Sequence, residues 1–155
     1  TFRTPTLGPI GLVTKNRILF LQELLETKRL DISAVDGTIP IVKAYAGMQG
    51  DLLEAIAHTK VDGLVIEALG AGNLPPQALA ALEKLLVQKI PVVLVSRCFN
   101  GIAEPVYDYE GGGKELEKMG IIFCNSINSQ KARLKLLIAV NYGLSGEELI
   151  SFIQN

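Results

Sequence analysis

The chain contains few of the residues that bind metal ions or form disulfides. It has two cysteines and one histidine among 155 residues, and the spacing of Cys98 and Cys124 fits no metal-binding motif. A zinc site takes several such ligands, so neither a structural nor a catalytic zinc centre is expected. Each cysteine stands at the end of a predicted strand, which favours buried, reduced thiols over a disulfide. Reduced thiols are typical of a reducing compartment, so we expect a cytoplasmic protein, and no cofactor is predicted.

The sequence also lacks an excess of charge of one sign and any long hydrophobic run. Charged residues make up 20% of the chain and the net charge is -1, which gives a nucleic-acid partner no electrostatic support. The longest apolar runs, such as 90–95, are far shorter than the roughly 20 residues of a membrane-spanning helix. Residues 1–11 lack the basic-then-apolar pattern of a signal peptide. We therefore expect neither a nucleic-acid nor a membrane partner.

Short, nearly continuous apolar segments alternate with amphipathic segments along most of the chain. β-Branched and aliphatic residues dominate the apolar segments, as expected for strands buried on both faces of a parallel sheet. The predicted strands are 41–45, 63–68, 91–96 and 121–124. The predicted helices are 51–58, 77–88, 114–119, 130–142 and 146–153, the last with Ser145 as N-cap and Glu148 in the capping-box position. This alternation predicts an α/β fold: a flavodoxin-like three-layer domain with a four-stranded parallel sheet.

The first part of the chain has a different pattern. Residues 7–12 and 18–21 are apolar and flank a polar tetrapeptide at 14–17, which predicts a hairpin that need not belong to the parallel sheet. We therefore divide the chain into a lead-in hairpin and linker over 1–39 and an α/β domain over 40–155. The lead-in is expected to pack against a part of the protein that lies upstream.

A glycine-rich loop follows the second strand of the predicted sheet, at residues 69–76. Ligands of parallel α/β sheets bind outside the carboxyl ends of the strands, and Gly70 and Gly72 would let the backbone approach a ligand closely. Asn73 offers both a donor and an acceptor to an amino-acid amide or carboxylate. The same pattern also fits an ordinary strand-to-helix turn with a left-handed asparagine. It is not the dinucleotide-binding Gly-x-Gly-x-x-Gly, because Pro75 stands at the third glycine position.

A second loop, over residues 103–113, brings three carboxylates close together in the sequence. These are Glu104, Asp108 and Glu110, and carboxylates could hold the ammonium group of a substrate. The alternative is a solvated acidic loop in which Glu110 lies near a helix N-terminus, where negative charge is favoured anyway.

Candidate nucleophiles are present but have simpler explanations. Ser96-Arg97-Cys98 follows a strand, yet no histidine lies near enough in sequence to suggest a base, so packing and polar loop contacts are expected. The single histidine, His58, ends a predicted helix, where its charge complements the helix dipole. Thr1 has the position of an N-terminal threonine nucleophile, but that mechanism goes with packed antiparallel sheets. No catalytic residue is therefore assigned.

Several segments together resemble the C-terminal domain of the asparaginase/glutaminase family, across nearly the whole chain and in the right order. The most specific is Gly-Ala-Gly-Asn-Leu-Pro at 70–75, which resembles the family's glycine–asparagine loop. The other similar segments are 8–11 at the end of the preceding domain, 41–48 in the first strand and turn, 90–98 in the third strand, 109–120 in the next helix of the cytosolic branch, and 129–134 in the last long helix.

The resemblance implies a two-domain enzyme that hydrolyses L-asparagine, with L-glutamine as a possible second substrate, through a threonine nucleophile. Family members carry that threonine in a Thr-Gly-Gly-Thr motif of the N-terminal domain, which also holds a Thr-Asp pair and a lysine. Neither motif occurs here, where the only Gly-Thr is Gly37-Thr38. We therefore expect the chain to bind substrate and to assemble, as a homodimer or homotetramer, but not to catalyse by itself.

The resemblance also implies roles for individual residues. Asn73, with Gly72 beside it, falls on the position that reaches the substrate held by a neighbouring subunit. Glu110 is the candidate for contact with the substrate's amino group. Cys98 falls where the cytosolic branch has a cysteine near an effector site, but Glu67 stands where that branch often has arginine. This departure argues against allosteric control by asparagine.

Two other functions fit the same sequence. The amidase subunit of a tRNA-dependent amidotransferase shares this domain and frees ammonia from glutamine for a partner enzyme. A stand-alone flavodoxin-like module would instead bind a small ligand at the strand ends without any upstream domain. Because the sequence does not begin with methionine, we expect part of a longer protein rather than such a module.

Overall fold

The computed structural model describes residues 8–23, 29–125 and 127–155. Thr1, the excluded nucleophile, and Leu7, the first residue of the predicted hairpin, lie outside these residues. The described chain forms a hairpin followed by a four-stranded parallel sheet with helices on both faces. The predicted α/β class, the parallel sheet and the separate hairpin are therefore confirmed.

The hairpin consists of β1 (Gly11–Val13) and β2 (Ile18–Phe20), which pair antiparallel. The backbone N–H of Thr14 donates to the Arg17 carbonyl across 2.9 Å, and its hydroxyl donates to the same carbonyl across 2.8 Å. The strands are shorter than predicted, but the polar turn lies where the sequence indicates. Much of the apolar surface is exposed, including 84% of Val13 and 78% of Phe20.

The parallel sheet has four strands whose spatial order follows their order in the chain. They are β3 (Ile41–Lys43), β4 (Leu64–Ala68), β5 (Val92–Ser96) and β6 (Ile122–Phe123). The strand order never reverses, in contrast to doubly wound sheets, whose order changes direction at a switch point. Since parallel crossovers are right-handed, this order carries all connecting helices on one face.

The described residues also form five α-helices: α1 (Asp51–Ala57), α2 (Leu79–Val87), α3 (Gly113–Lys118), α4 (Ser129–Tyr142) and α5 (Gly146–Gln154). The three connecting helices pack on one face of the sheet, where Ile66 and Leu94 lie in the larger core cluster. The last two helices cover the opposite face, where they pack against Val65 and Val93. Alternate residues of each central strand thus enter opposite cores, as parallel strands buried on both faces require.

Two helix starts differ from the sequence-based prediction. The predicted helix 77–88 is a 3₁₀ turn (Pro76–Ala78) followed by α2, because Pro75 precedes another proline and is extended. Ser145 precedes α5 as predicted, but its side chain makes no cap hydrogen bond, so the predicted capping box is wrong. Gly146 has a φ of 54°, and the first turn therefore lacks the regular geometry in which a cap hydroxyl reaches a helix N–H.

Candidate functional site

The glycine-rich loop leaves the carboxyl end of β4, one of the two central strands of the sheet. The N–H of Leu69 donates to the Asn73 carbonyl across 3.0 Å, and the N–H of Asn73 donates back across 2.9 Å. This reciprocal pair closes the loop into a tight turn. Gly70 and Gly72 have φ values of 52° and 109°, a region that side chains disfavour. The turn therefore depends on glycine at both positions.

Gly72 also lies in close contact with the apolar core. A Cβ atom added there would lie 2.7 Å from the Phe123 ring and 3.0 Å from the Leu94 side chain. Both side chains are buried in the larger core cluster. The turn that holds Asn73 thus packs against the end of the core, with no room for a side chain at position 72.

The side-chain amide of Asn73 is incompletely bonded. Its Nδ2 donates to the Leu69 carbonyl at 3.5 Å, which is long for a hydrogen bond. Its Oδ1 is buried and has no hydrogen-bond partner among the described residues. An unpartnered buried acceptor costs about 1–3 kcal/mol, so a further donor, or a rotation of the amide that exposes it to one, would be favourable. Among the described residues, Asn73 Oδ1 is thus still able to accept a hydrogen bond.

The last residue of β5 and the loop that follows it, residues 97–112, make three hydrogen bonds to this turn. Backbone N–H groups make two of them, from Glu104 to the Ala71 carbonyl at 2.8 Å and from Leu74 to the Gly111 carbonyl at 2.9 Å. The third comes from Ser96 at the end of β5, whose hydroxyl donates to the Gly70 carbonyl across 2.6 Å. Ser96 was not among the predicted site residues, although polar loop contacts were expected for it.

Glu110 lies next to the backbone that contacts the Asn73 turn. Its carboxylate is exposed and has no hydrogen-bond or ion-pair partner within the described ranges. The neighbouring Gly111 is held on both sides, since its carbonyl accepts from Leu74 and its N–H donates to Glu115 Oε2 across 2.6 Å. Of the other two predicted carboxylates, Glu104 is exposed and Asp108 lies 3.7 Å from the Lys114 ammonium. Glu104 also has an exposed side chain without a partner among the described residues, and its own N–H bonds the Asn73 turn, so two carboxylates, Glu104 and Glu110, lie free beside this turn.

Glu67 and Cys98, the proposed effector pair, occupy different environments. The Glu67 carboxylate lies on the α4 face of the sheet, accepts from the Ser129 hydroxyl across 2.5 Å and lies 3.2 Å from the Lys43 ammonium. Its side chain is 17% exposed. Cys98 lies beyond the end of β5 in a turn closed by a hydrogen bond from the Gly101 N–H. Glu67 is engaged by its own partners, and none of its described hydrogen bonds or ion pairs reaches Cys98.

The two thiols also differ from each other. Both are free, Cys124 is buried and Cys98 is exposed, so the expectation of buried thiols is wrong for Cys98 because it lies two residues past its strand. Burial raises the pKa of the Cys124 thiol, which donates to the Ile153 carbonyl across 3.4 Å. In the part of the chain that is described, no cluster of histidine, cysteine and acidic side chains could hold a metal ion.

Arg97 is a further polar residue at the same edge of the sheet that the predicted site did not include. Its Nη1 donates to the Ala44 carbonyl across 3.0 Å, and its backbone N–H donates to the Ala68 carbonyl. The arginine thereby spans the end of β4 and links the ends of β5 and β3. The only signal in the sequence is its position directly after a central strand.

The loops at this edge expose several large apolar side chains. These loops follow the carboxyl ends of β3 and β5, the two strands that flank β4 in the sheet. These residues are Tyr45, Phe99, Ile102, Val106, Tyr107 and Tyr109. We call them the apolar rim. A cluster of exposed aromatic and aliphatic residues is typical of a surface that contacts another protein. No helix among the described residues is long and apolar enough to cross a membrane.

Known proteins share both the sequence and the fold of this chain. Residues 38–152 match the model of the glutaminase/asparaginase C-terminal domain. A probable L-asparaginase of Deinococcus radiodurans is 46% identical over 72% of this chain and 33% of its own length. An L-asparaginase of Bacillus licheniformis is 30% identical over 84% of this chain and 41% of its own length. One subunit of the glutamyl-tRNA(Gln) amidotransferase of Methanobrevibacter smithii is 29% identical over 88% of this chain and 32% of its own length.

The chain therefore spans about a third to two fifths of the length of these curated relatives. The crystal structure of a probable cytoplasmic L-asparaginase from Campylobacter jejuni superposes with a TM-score of 0.81, over 97% of this chain and 48% of that one. At 22% identity this similarity demonstrates the shared fold. The match to the family model covers most of the chain and agrees with the resemblance of the Asn73 loop, and the chain belongs to the glutaminase/asparaginase C-terminal domain family.

Proposed function

We propose that the full-length protein is an L-asparaginase-type amidohydrolase, which converts L-asparagine and water to L-aspartate and ammonia. The observation that carries the proposal is the Asn73 turn, an amide with spare hydrogen-bonding capacity at the carboxyl edge of a domain of this family. Two relatives named as asparaginases support the choice of substrate. L-Glutamine is the second amide that such a site would accept.

In this proposal the chain positions the substrate and another domain of the protein carries out the chemistry. The threonine nucleophile, its base and the oxyanion donors belong to that other domain. Asn73 orients the substrate's α-groups, Gly72 lets the backbone approach, and Glu110 holds the α-ammonium group. Correct orientation and exclusion of water account for a large part of a rate enhancement. We accordingly divide the chain into a lead-in over 1–39 and the substrate-positioning domain over 40–155, a division that the family match over 38–152 supports.

The apolar rim favours an assembly in which this edge of the domain faces another subunit. Phe99 is 79% exposed, and burial of such side chains is a main source of association free energy. We propose a cytoplasmic homodimer, or a homotetramer built from it, in which Asn73 reaches the site of the neighbouring subunit. Glu67 is engaged by Ser129 and Lys43, and we propose that this protein has no asparagine-binding effector site there.

Ammonia release from L-asparagine tests the proposal. Full-length protein and the 155-residue chain are compared at equal molar concentration, with L-glutamine as the second substrate. Activity of the full-length protein alone is the expected result. If the 155-residue chain hydrolyses asparagine by itself, a nucleophile lies within it, Thr1 becomes the leading candidate, and the division of labour is wrong.

Asn73→Ala in the full-length protein then tests the residue that carries the proposal. We expect KM to rise or kcat to fall by a factor of roughly 10 to 100, the equivalent of one or two polar contacts. Asn16→Ala is the matched control, since Asn16 is exposed in the hairpin turn, far along the chain from the Asn73 loop. Unchanged kinetics in Asn73→Ala would contradict its role in substrate binding.

The amidase component of a tRNA-dependent amidotransferase is the alternative function, because relatives with that name also match this chain. Such a protein would release ammonia from glutamine in preference to asparagine and would purify with a partner enzyme. A preference for glutamine together with a stoichiometric partner would favour it over the asparaginase.

A further inference from the structure

Ser96 holds the Asn73 turn through the one side-chain hydrogen bond that reaches this turn from elsewhere in the described chain. Its hydroxyl donates to the Gly70 carbonyl across 2.6 Å. The register of the sheet explains the contact, because Ser96 pairs with Ala68, two residues before Gly70. The last residue of β5 therefore lies beside the first bend of the loop that follows β4.

The Ser96 hydroxyl takes part in a second hydrogen bond. A carbonyl oxygen can only accept, so the single hydrogen of the hydroxyl is donated to Gly70. The Ser96 oxygen in turn accepts from the backbone N–H of Cys98 across 3.1 Å. Donor and acceptor bonds in such a chain polarise and strengthen one another. The hydroxyl thus joins the turn after β5 to the turn that carries Asn73.

Gly101 packs closely against the same hydroxyl. A Cβ atom at Gly101 would lie 2.0 Å from the Ser96 oxygen, and the Gly101 N–H closes the Cys98 turn. The hydroxyl is therefore enclosed on one side by Gly101, which has no side chain. The other two hydrogen bonds to the Asn73 turn are made by backbone groups, which substitutions other than proline leave in place.

We propose that Ser96 is a positioning residue for the reaction: its hydroxyl fixes the Gly70–Asn73 turn and thereby sets the place of the Asn73 amide against the substrate. Ser96 itself does not contact substrate. This inference rests on the proposed asparaginase function, since it requires Asn73 to bind the substrate. Without the hydroxyl, the Gly70 carbonyl loses its donor and the turn can shift while its backbone ties remain.

The test is a double-mutant cycle in the full-length protein with L-asparagine as substrate. We expect Ser96→Ala to raise KM about 5- to 20-fold with a smaller change in kcat, and Ser96→Thr, which retains the hydroxyl, to restore most of the loss. In the Asn73→Ala background, Ser96→Ala should change kcat/KM less than about twofold, because it acts through a side chain that is no longer present. The control is Thr59→Ala, which removes a similar hydroxyl-to-carbonyl bond of 2.8 Å at the end of α1.

Each result has a distinct meaning. Equal effects of Ser96→Ala with and without Asn73 would overturn the proposal, as would unchanged kinetics in Ser96→Ala or failure of Ser96→Thr to recover. If Ser96→Ala does not fold, the same cycle is run with Ser96→Cys, whose thiol is a weaker donor: a loss of kcat/KM that disappears in the Asn73→Ala background supports positioning, and equal losses in both backgrounds overturn it. A wild-type protein without asparaginase activity overturns the proposed function itself, whereas an active wild type with an unaffected Ser96→Ala overturns the positioning role alone.

Discussion

Gly72 shows how one residue sets the shape of the candidate site. It combines a φ of 109° with a position at which an added Cβ would lie 2.7 Å from the Phe123 ring. We expect Gly72→Ala to lower the free energy of unfolding by about 2–4 kcal/mol, from backbone strain and overpacking together. Gly47→Ala is the control, because Gly47 has a φ of 76° but no atom within 4 Å of the added Cβ. Gly47→Ala should lower the free energy of unfolding by only about 1 kcal/mol. Equal losses in the two variants, measured by urea unfolding, would contradict the contact of Gly72 with the core.

At the same scale, the sequence predicts which residues are special but not which atoms they meet. The glycines at 70 and 72 and the asparagine after them are recognisable from backbone chemistry. The contact between Ser96 and Gly70 depends on the register of two strands, and no local pattern encodes that register. Glu67 likewise reaches Ser129 only because α4 packs on that face of the sheet, a long-range contact.

At the scale of elements, α4 and α5 cover the same face of the sheet, and their N-termini can be compared because only one of them has a side-chain cap. Asn128 Oδ1 accepts from the Lys131 N–H across 3.0 Å at the start of α4, whereas Ser145 makes no such bond at the start of α5. We expect Asn128→Ala to lower the free energy of unfolding by about 1 kcal/mol. Ser145→Ala should have less than half that effect, and Asn128→Asp should retain most of the stability. A larger loss from Ser145→Ala than from Asn128→Ala, measured by denaturant unfolding, would contradict the observed caps.

Element positions were predictable because periodicity and the residues that break it are local signals. Every helix and strand of the predicted parallel domain exists, with boundaries that differ by at most two residues. The two-residue differences are at the start of α2 and the end of β3. The 3₁₀ turn before α2 follows from two adjacent prolines, and β3 ends at Lys43 rather than at residue 45, although the Ala44 N–H still donates to the Glu67 carbonyl.

For the whole molecule, the alternation of strands and helices predicts the layers because right-handed crossovers leave few arrangements. The unequal covering of the two faces was harder to foresee. It follows from the sequential strand order, which sends three connecting helices to one face and leaves the other to α4 and α5. The hairpin and the apolar rim remain uncovered in the described chain, and each is expected to face a different part of the full-length assembly.

The apolar rim and the hairpin can be tested separately, because each has one phenylalanine and the two are almost equally exposed. Phe99 in the apolar rim is 79% exposed and Phe20 in the hairpin is 78% exposed. Phe99→Glu in the full-length protein should raise the dimer dissociation constant at least about tenfold, since burial of such a side chain contributes about 1.5–3 kcal/mol. Asparaginase activity should then fall on dilution, because in the proposed homodimer Asn73 serves the site of the neighbouring subunit.

Phe20→Glu should leave that dissociation constant unchanged and instead lower the thermal stability, because the hairpin is expected to pack against the rest of its own subunit. Sedimentation equilibrium and thermal unfolding of both variants measure the two effects. Dissociation caused by Phe20→Glu and not by Phe99→Glu would indicate that the subunit interface includes the hairpin rather than the apolar rim. Asn73 would then have to serve the site of its own subunit, and activity would no longer depend on protein concentration.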